Sequence, residues 1–135
     1  MTLIFFLSAQ PALESTETSN AAALFLYRIY SFFPAKNALS ATEFLLKYTQ
    51  PVRKFAHFSE FLILGVLMYV NLVGQRKALP NALGVSILYA VSDEIHQLFV
   101  ENRYCSLTDI LIDSTGAAFG VFLCHLIYTK WRKRN

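Results

Sequence analysis

The chain has 135 residues, 55% of them hydrophobic and 16% charged, and its 12 Lys and Arg against 9 Asp and Glu give a net charge of +3. A chain this apolar buries more than it must solvate, which excludes disorder, and 5 Gly with 2 Cys exclude collagen-like repeats and a disulfide scaffold. The length predicts one domain over residues 1–135, and the apolar excess leaves a choice between a soluble core and a bilayer.

Met1–Leu7 is an apolar run of seven with no basic start, too short to span and too short for a signal peptide. It reads as the outer end of a first helix whose beginning lies outside this sequence, ended where Pro11 biases Gln10 away from helical dihedrals. Residues 12–20, Ala-Leu-Glu-Ser-Thr-Glu-Thr-Ser-Asn, predict a polar loop. The stretch Ala21–Tyr48 is apolar but split by Pro34. Ala41, Phe44, Leu45 and Tyr48 share one helical face, and Ser40, Glu43 and Lys47 another, with Glu43 preceding Lys47 in the favourable order. This predicts one or two short amphipathic helices in the outer interface, although the same period suits packing on a soluble core.

Three uncharged stretches follow, Phe61–Gln75, Ala78–Ser92 and Ser114–Thr129. With a few polar residues admitted they become spans of about Phe55–Gly74, Ala78–Val100 and Asp109–Thr129, near the roughly 20 residues a bilayer needs. Arg76-Lys77 separates the first two, and Lys130-Trp131-Arg132-Lys133-Arg134 follows the third. In this topology all nine acids lie toward the other side. The positive-inside rule then places the tail and the 76–77 loop in the cytoplasm, with Arg53, Lys54 and Arg103 as exceptions on the outer side. The tail reads as a membrane-surface anchor with Trp131 at the interface. No aromatic-basic platform accompanies it, so no nucleic-acid partner is expected. No period-2 alternation persists between turn signals. The chain is therefore predicted all-α, a multi-pass transmembrane helical bundle of three full spans, a truncated first helix and short interfacial amphipathic helices. Cys105 and Cys124 are separated by roughly 28 Å of helix and are expected to be free thiols.

The polar residues gather at the outer helix ends. Arg53, His57 and Glu60 lie within about 60° of one another on a helical wheel. Asp93, His96 and Gln97 share a face, with Glu94 to one side. Ser106 and Asp109 match the S/T-x-x-D/E capping box that opens a helix. Asp109, Asp113, Gly116 and Gly120 also fall within about 60°. The Gly-x-x-x-Gly step permits close helix packing, so this face and its carboxylates are expected inside the bundle, where ionisable residues of membrane helices usually point.

The ordered set Arg53-Lys54-x-x-His57-x-x-Glu60-Phe61, Ser92-Asp93-Glu94-x-His96-Gln97-x-Phe99-Val100 and Arg103-x-x-Ser106-x-x-Asp109, followed by a helix with Gly116, resembles the VanZ-like family of bacterial membrane proteins. The resemblance runs from about Ser8 to Gly120, and Ser8-x-Gln10-Pro11 with Ser15 and Ser19 is similar to that family's first outer loop. It implies a four-helix integral protein of the bacterial cytoplasmic membrane. The founding member of the family is associated with resistance to the glycopeptide teicoplanin. The chain departs from the family pattern at Glu101-Asn102, where Pro-Gly is usual, and at Asp113, where Asn is usual.

Two classes of function follow. In the first, a non-enzymatic envelope protein uses its polar cluster to bind a lipid head group or a peptidoglycan precursor, or to stabilise the bundle. In the second, a membrane-embedded hydrolase or transferase acts on a lipid-linked phosphate or an envelope precursor. Its candidate catalytic residues are His57, Glu60, Asp93, Glu94, His96 and Asp109, with His57 or His96 as general base. Arg53 and Arg103 would clamp phosphate, and Lys54 and Gln97 complete the binding candidates. The spacings His57-x-x-Glu60 and Asp93-x-x-His96 resemble those of di-metal bundles. Salt-bridged networks are the commoner outcome of such spacing, so no metal or cofactor is expected. A pocket open to the outer rim would favour the enzyme, and a closed network the structural role.

Overall fold

The computed structural model describes residues 12–32, 39–100 and 105–134, with side chains from Thr16 onward. Among them the chain is all-helical, comprising α1 (Ala12–Ser31), α2 (Ala41–Leu72), α3 (Ala78–Gln97) and α4 (Leu107–Arg134). Met1–Leu7, Pro11, Pro34 and Arg103 lie outside the described residues.

The expected polar loop at 12–20 is instead the first half of α1. After Pro11 the segment contains no proline or glycine. Its polar residues can therefore follow the helix while exposing Thr16, Glu17 and Thr18. One stripe packs down on α2, burying Ser19 and Ala23. There the Thr49 hydroxyl donates to Asn20 Oδ1 at 2.8 Å. Tyr27 and Tyr30 extend the contact, each ring centroid 5.4 Å from that of Phe44.

The amphipathic stretch at 41–48 is not a separate helix. It forms the first turns of the 32-residue α2, which continues through Pro51. A proline there removes one backbone donor, the one that would have served the carbonyl of Lys47. Lys47 and Pro51 are both exposed, so water can serve that carbonyl instead. Ser40 opens α2 with a complete capping box: its hydroxyl accepts from the Glu43 N–H, and Glu43 Oε2 accepts from the Ser40 N–H at 2.9 Å.

Pairs along the bundle fix its topology. Lys54 meets Asp109, Gly116 lies against Phe58, Gly120 against Leu62, and Tyr69 against His125. Residue numbers rise together, so α2 and α4 run parallel. Phe61 packs with Ala90, and Tyr69 with Ala78 and Ala82, so α3 returns antiparallel to both. The expected small-residue face exists: Gly116 and Gly120 of α4, with Gly65 of α2, bring the two backbones into direct contact. Phe61, Leu64, Ala90 and Ala117 fill the middle of the core, and Tyr69, Ala78, Ala82 and Val121 the far end.

Two helices, α2 and α4, are long and apolar enough to cross a membrane. The third expected span, α3, is not among them, because Pro80, Asn81, Asp93 and Glu94 dilute its apolar residues. Only 22% of the apolar window of α2 and 28% of that of α4 is buried. Leu67, Val70, Phe119, Phe122 and Leu126 face outward. A core helix of a soluble protein shows the reverse, whereas an apolar exterior of this extent suits lipid. Cys105 and Cys124 are free, as expected.

Candidate functional site

At the end of the bundle where α3 finishes and α4 begins, polar side chains enter an apolar scaffold. The parallel contact of α2 with α4 sets Arg53, Lys54 and His57 beside Asp109 and Asp113. With Ile112, these five line a cleft whose free space is about 10 Å³, close to what one water molecule needs. Lys54 Nζ stands 3.8 Å from Asp109 Oδ1, with the two side chains 42% and 27% exposed. That is a solvated rim pair, a class that contributes less than about 1 kcal/mol.

Deeper in, the carboxylates are shielded from solvent. Asp93 and Glu94 are fully buried and Asp113 is 1% exposed. Asp113 lies within electrostatic reach of Asp93, Glu94, Asp109 and Glu60. Burial next to like charges disfavours ionised carboxylates, so each must find a donor, a counter-charge or a proton. Gln97 Nε2 donates to Asp93 Oδ2 at 3.2 Å, one turn apart on α3. The Ser106 N–H donates to Glu94 Oε1 at 2.7 Å. Neither oxygen of Asp113 has a hydrogen-bond partner among the described residues.

The start of α4 differs from the expected capping box in one respect. Ser106 does cap, accepting from the Asp109 N–H at 3.4 Å. The return bond to the Ser106 N–H comes from Glu94 of α3, not from Asp109. Asp109 faces Lys54 instead. A carboxylate from a neighbouring helix thus completes the cap, tying the end of α3 to the beginning of α4.

Of the candidates named from the sequence, Arg53, Lys54, His57 and Asp109 share the cleft. Glu60 is half-buried and within electrostatic reach of Asp93. Asp93, Glu94 and Gln97 are buried on α3 and are not among the residues that line the cleft. His96 is half-buried on the same turn of α3, and Arg103 lies outside the described residues. Among the described residues no three His, Cys, Asp or Glu side chains are grouped to hold a metal ion.

Sequence reasoning passed over three polar residues. Ser86 is fully buried on α3, and its hydroxyl has no hydrogen-bond partner among the described residues. At the far end of the bundle, the Tyr69 hydroxyl lies 2.6 Å from His125 Nδ1, with the rings edge-to-face at 5.4 Å. His125 was detectable as a histidine inside an otherwise apolar stretch. Ser86 carried no such signal.

Comparison with curated proteins gives no match, and comparison with solved structures gives none. The family model described as VanZ/LLP1 matches residues 1–128, nearly the whole chain. That match covers all of α2, α4 as far as residue 128 and the residues of the polar cleft, and the chain belongs to the VanZ/LLP1 family.

Proposed function

We propose that the chain is a multi-pass protein of the bacterial cytoplasmic membrane. In this reading α2, α3 and α4 cross the bilayer, the basic tail lies in the cytoplasm, and the polar cleft lies on the outer side. There it recognises a small charged group on an envelope component, either a lipid head group or a peptidoglycan precursor. The supporting observation is the cleft itself, in which Arg53, Lys54 and His57 of one helix face Asp109 and Asp113 of another. Space for about one water molecule suits recognition of a compact charged group better than turnover of a phosphate ester. A contribution to teicoplanin resistance belongs to the same proposal, carried by the family resemblance.

Topology is testable through the native cysteines. Cys105 is exposed two residues before α4, and Cys124 is half-buried in α4. In intact cells a membrane-impermeant maleimide is expected to label Cys105. Labelling only after permeabilisation would invert the topology.

Recognition is testable with purified protein in detergent. Lysophosphatidylglycerol and lysophosphatidylethanolamine are expected to raise Tm above the level reached with uncharged monoacylglycerol. In Arg53→Ala/Asp109→Ala that difference should disappear. Equal shifts from all three lipids in the unaltered protein would remove the head-group reading.

A further inference from the structure

Asp113 is the group that the cleft leaves unsatisfied. It is 1% exposed, it lines the cleft, and neither of its oxygens has a hydrogen-bond partner among the described residues. The lysine at the rim pairs with Asp109 and not with Asp113. Glu60, Asp93 and Glu94 lie within electrostatic reach of Asp113 and, when ionised, add negative potential and no donor, while His57 lines the same cleft from α2. In its ionised form Asp113 calls for a positively charged hydrogen-bond donor.

Size narrows the choice. The space of about 10 Å³ accepts a group no larger than a water molecule. A primary ammonium is of that size and carries three N–H donors. A quaternary ammonium is bulkier and carries none, so it could neither enter nor satisfy the carboxylate. Arg53 and Lys54 line the same cleft, are more exposed than Asp113, and are the partners available to an anionic group attached to that amine. The partly exposed lining therefore includes Arg53, Lys54 and Asp109, and the buried carboxylate is Asp113.

We propose that Asp113 receives the ammonium group of a primary amine, whose attached anionic group rests against Arg53 and Lys54. This rests on the head-group reading above and narrows it to amine-bearing groups. The shared chemistry is the primary ammonium, whether it comes from a lipid head group or from a free small amine.

The test uses the full chain in detergent with lysophosphatidylethanolamine, lysophosphatidylcholine, lysophosphatidylglycerol, free ethanolamine and sodium chloride at matched ionic strength. Affinity for lysophosphatidylethanolamine is expected to be about tenfold tighter than for the choline and glycerol lipids, the effect of one charge-assisted hydrogen bond. In Asp113→Asn the preference should fall to about threefold or less, with binding of lysophosphatidylglycerol retained as evidence of folding. A Tm rise with ethanolamine, but not with sodium chloride, would identify a free amine as sufficient. A rise with the ethanolamine lipid alone would identify the head group as the source. Equal affinity for the ethanolamine and glycerol lipids would overturn the ammonium assignment and leave the head-group reading standing. So would an amine preference that survives in Asp113→Asn. Binding of no charged lipid would overturn both.

Discussion

Gly120→Ala is expected to lower Tm in detergent by about 10 °C or more, the largest effect of any single methyl group in this chain. A Cβ at position 120 would stand well inside the contact distance of the Leu62 carbonyl oxygen. Overpacking a core costs about 1–3 kcal/mol when a side chain can turn aside. Here the obstacle is backbone, so the helices must separate. Gly116, against the Phe58 carbonyl, should behave in the same way. Gly84 in α3 provides the control, because nothing lies within 4 Å of its added Cβ. Gly84→Ala should leave Tm unchanged or raise it, since alanine favours helix over glycine by up to about 1 kcal/mol. If Gly120→Ala and Gly84→Ala prove equally mild, close backbone contact is not what holds α4 on α2.

Glu94→Ala is expected to cost about 2–3 kcal/mol, the scale of a hydrogen bond to a charged group at a buried site. It removes the acceptor that holds the Ser106 N–H at 2.7 Å and so loosens the junction between α3 and α4. Glu94→Gln keeps a carbonyl acceptor and drops the charge, and should cost less than about 1 kcal/mol. The distinguishing measurement is amide hydrogen exchange at residues 106–110. Protection there should fall in the alanine variant and persist in the glutamine variant. Equal protection in both would show that the first turn of α4 does not depend on Glu94.

The helical class was legible in the sequence because apolar runs with no strand period leave few alternatives. The faces were legible too. Asp109, Asp113, Gly116 and Gly120 were assigned to one interior stripe by wheel arithmetic; the last three are buried, whereas Asp109, in the first turn of α4, stands at the rim with its side chain 27% exposed. Helix limits were less so. Polarity at 12–20 suggested a loop, yet polar residues follow a helix when one stripe has somewhere to dock, as Ser19 and Ala23 do. The amphipathic stretch ending at Tyr48 and the span from about Phe55 were read as separate, yet they are one helix, since the loss of one exposed backbone bond at Pro51 does not stop a helix held elsewhere by tertiary contacts. At the site, spacing marked Ser106 and Asp109 correctly as a helix start. It could not show that the completing carboxylate comes from Glu94, because that partner is adjacent only after folding.

The glycine contacts also act as a depth gauge. With Gly65, Gly116 and Gly120 each pressed against a carbonyl of the opposite helix, α4 cannot slide along α2 by a residue without meeting a side chain. A shift would have to be a jump of about one helical turn, roughly 5.4 Å. The axial height of Asp113 relative to Arg53 is therefore set by protein and not by lipid. In bilayers of different thickness such a pair accommodates by tilting as a unit, which would carry the polar cleft toward or away from the membrane surface without changing its internal geometry.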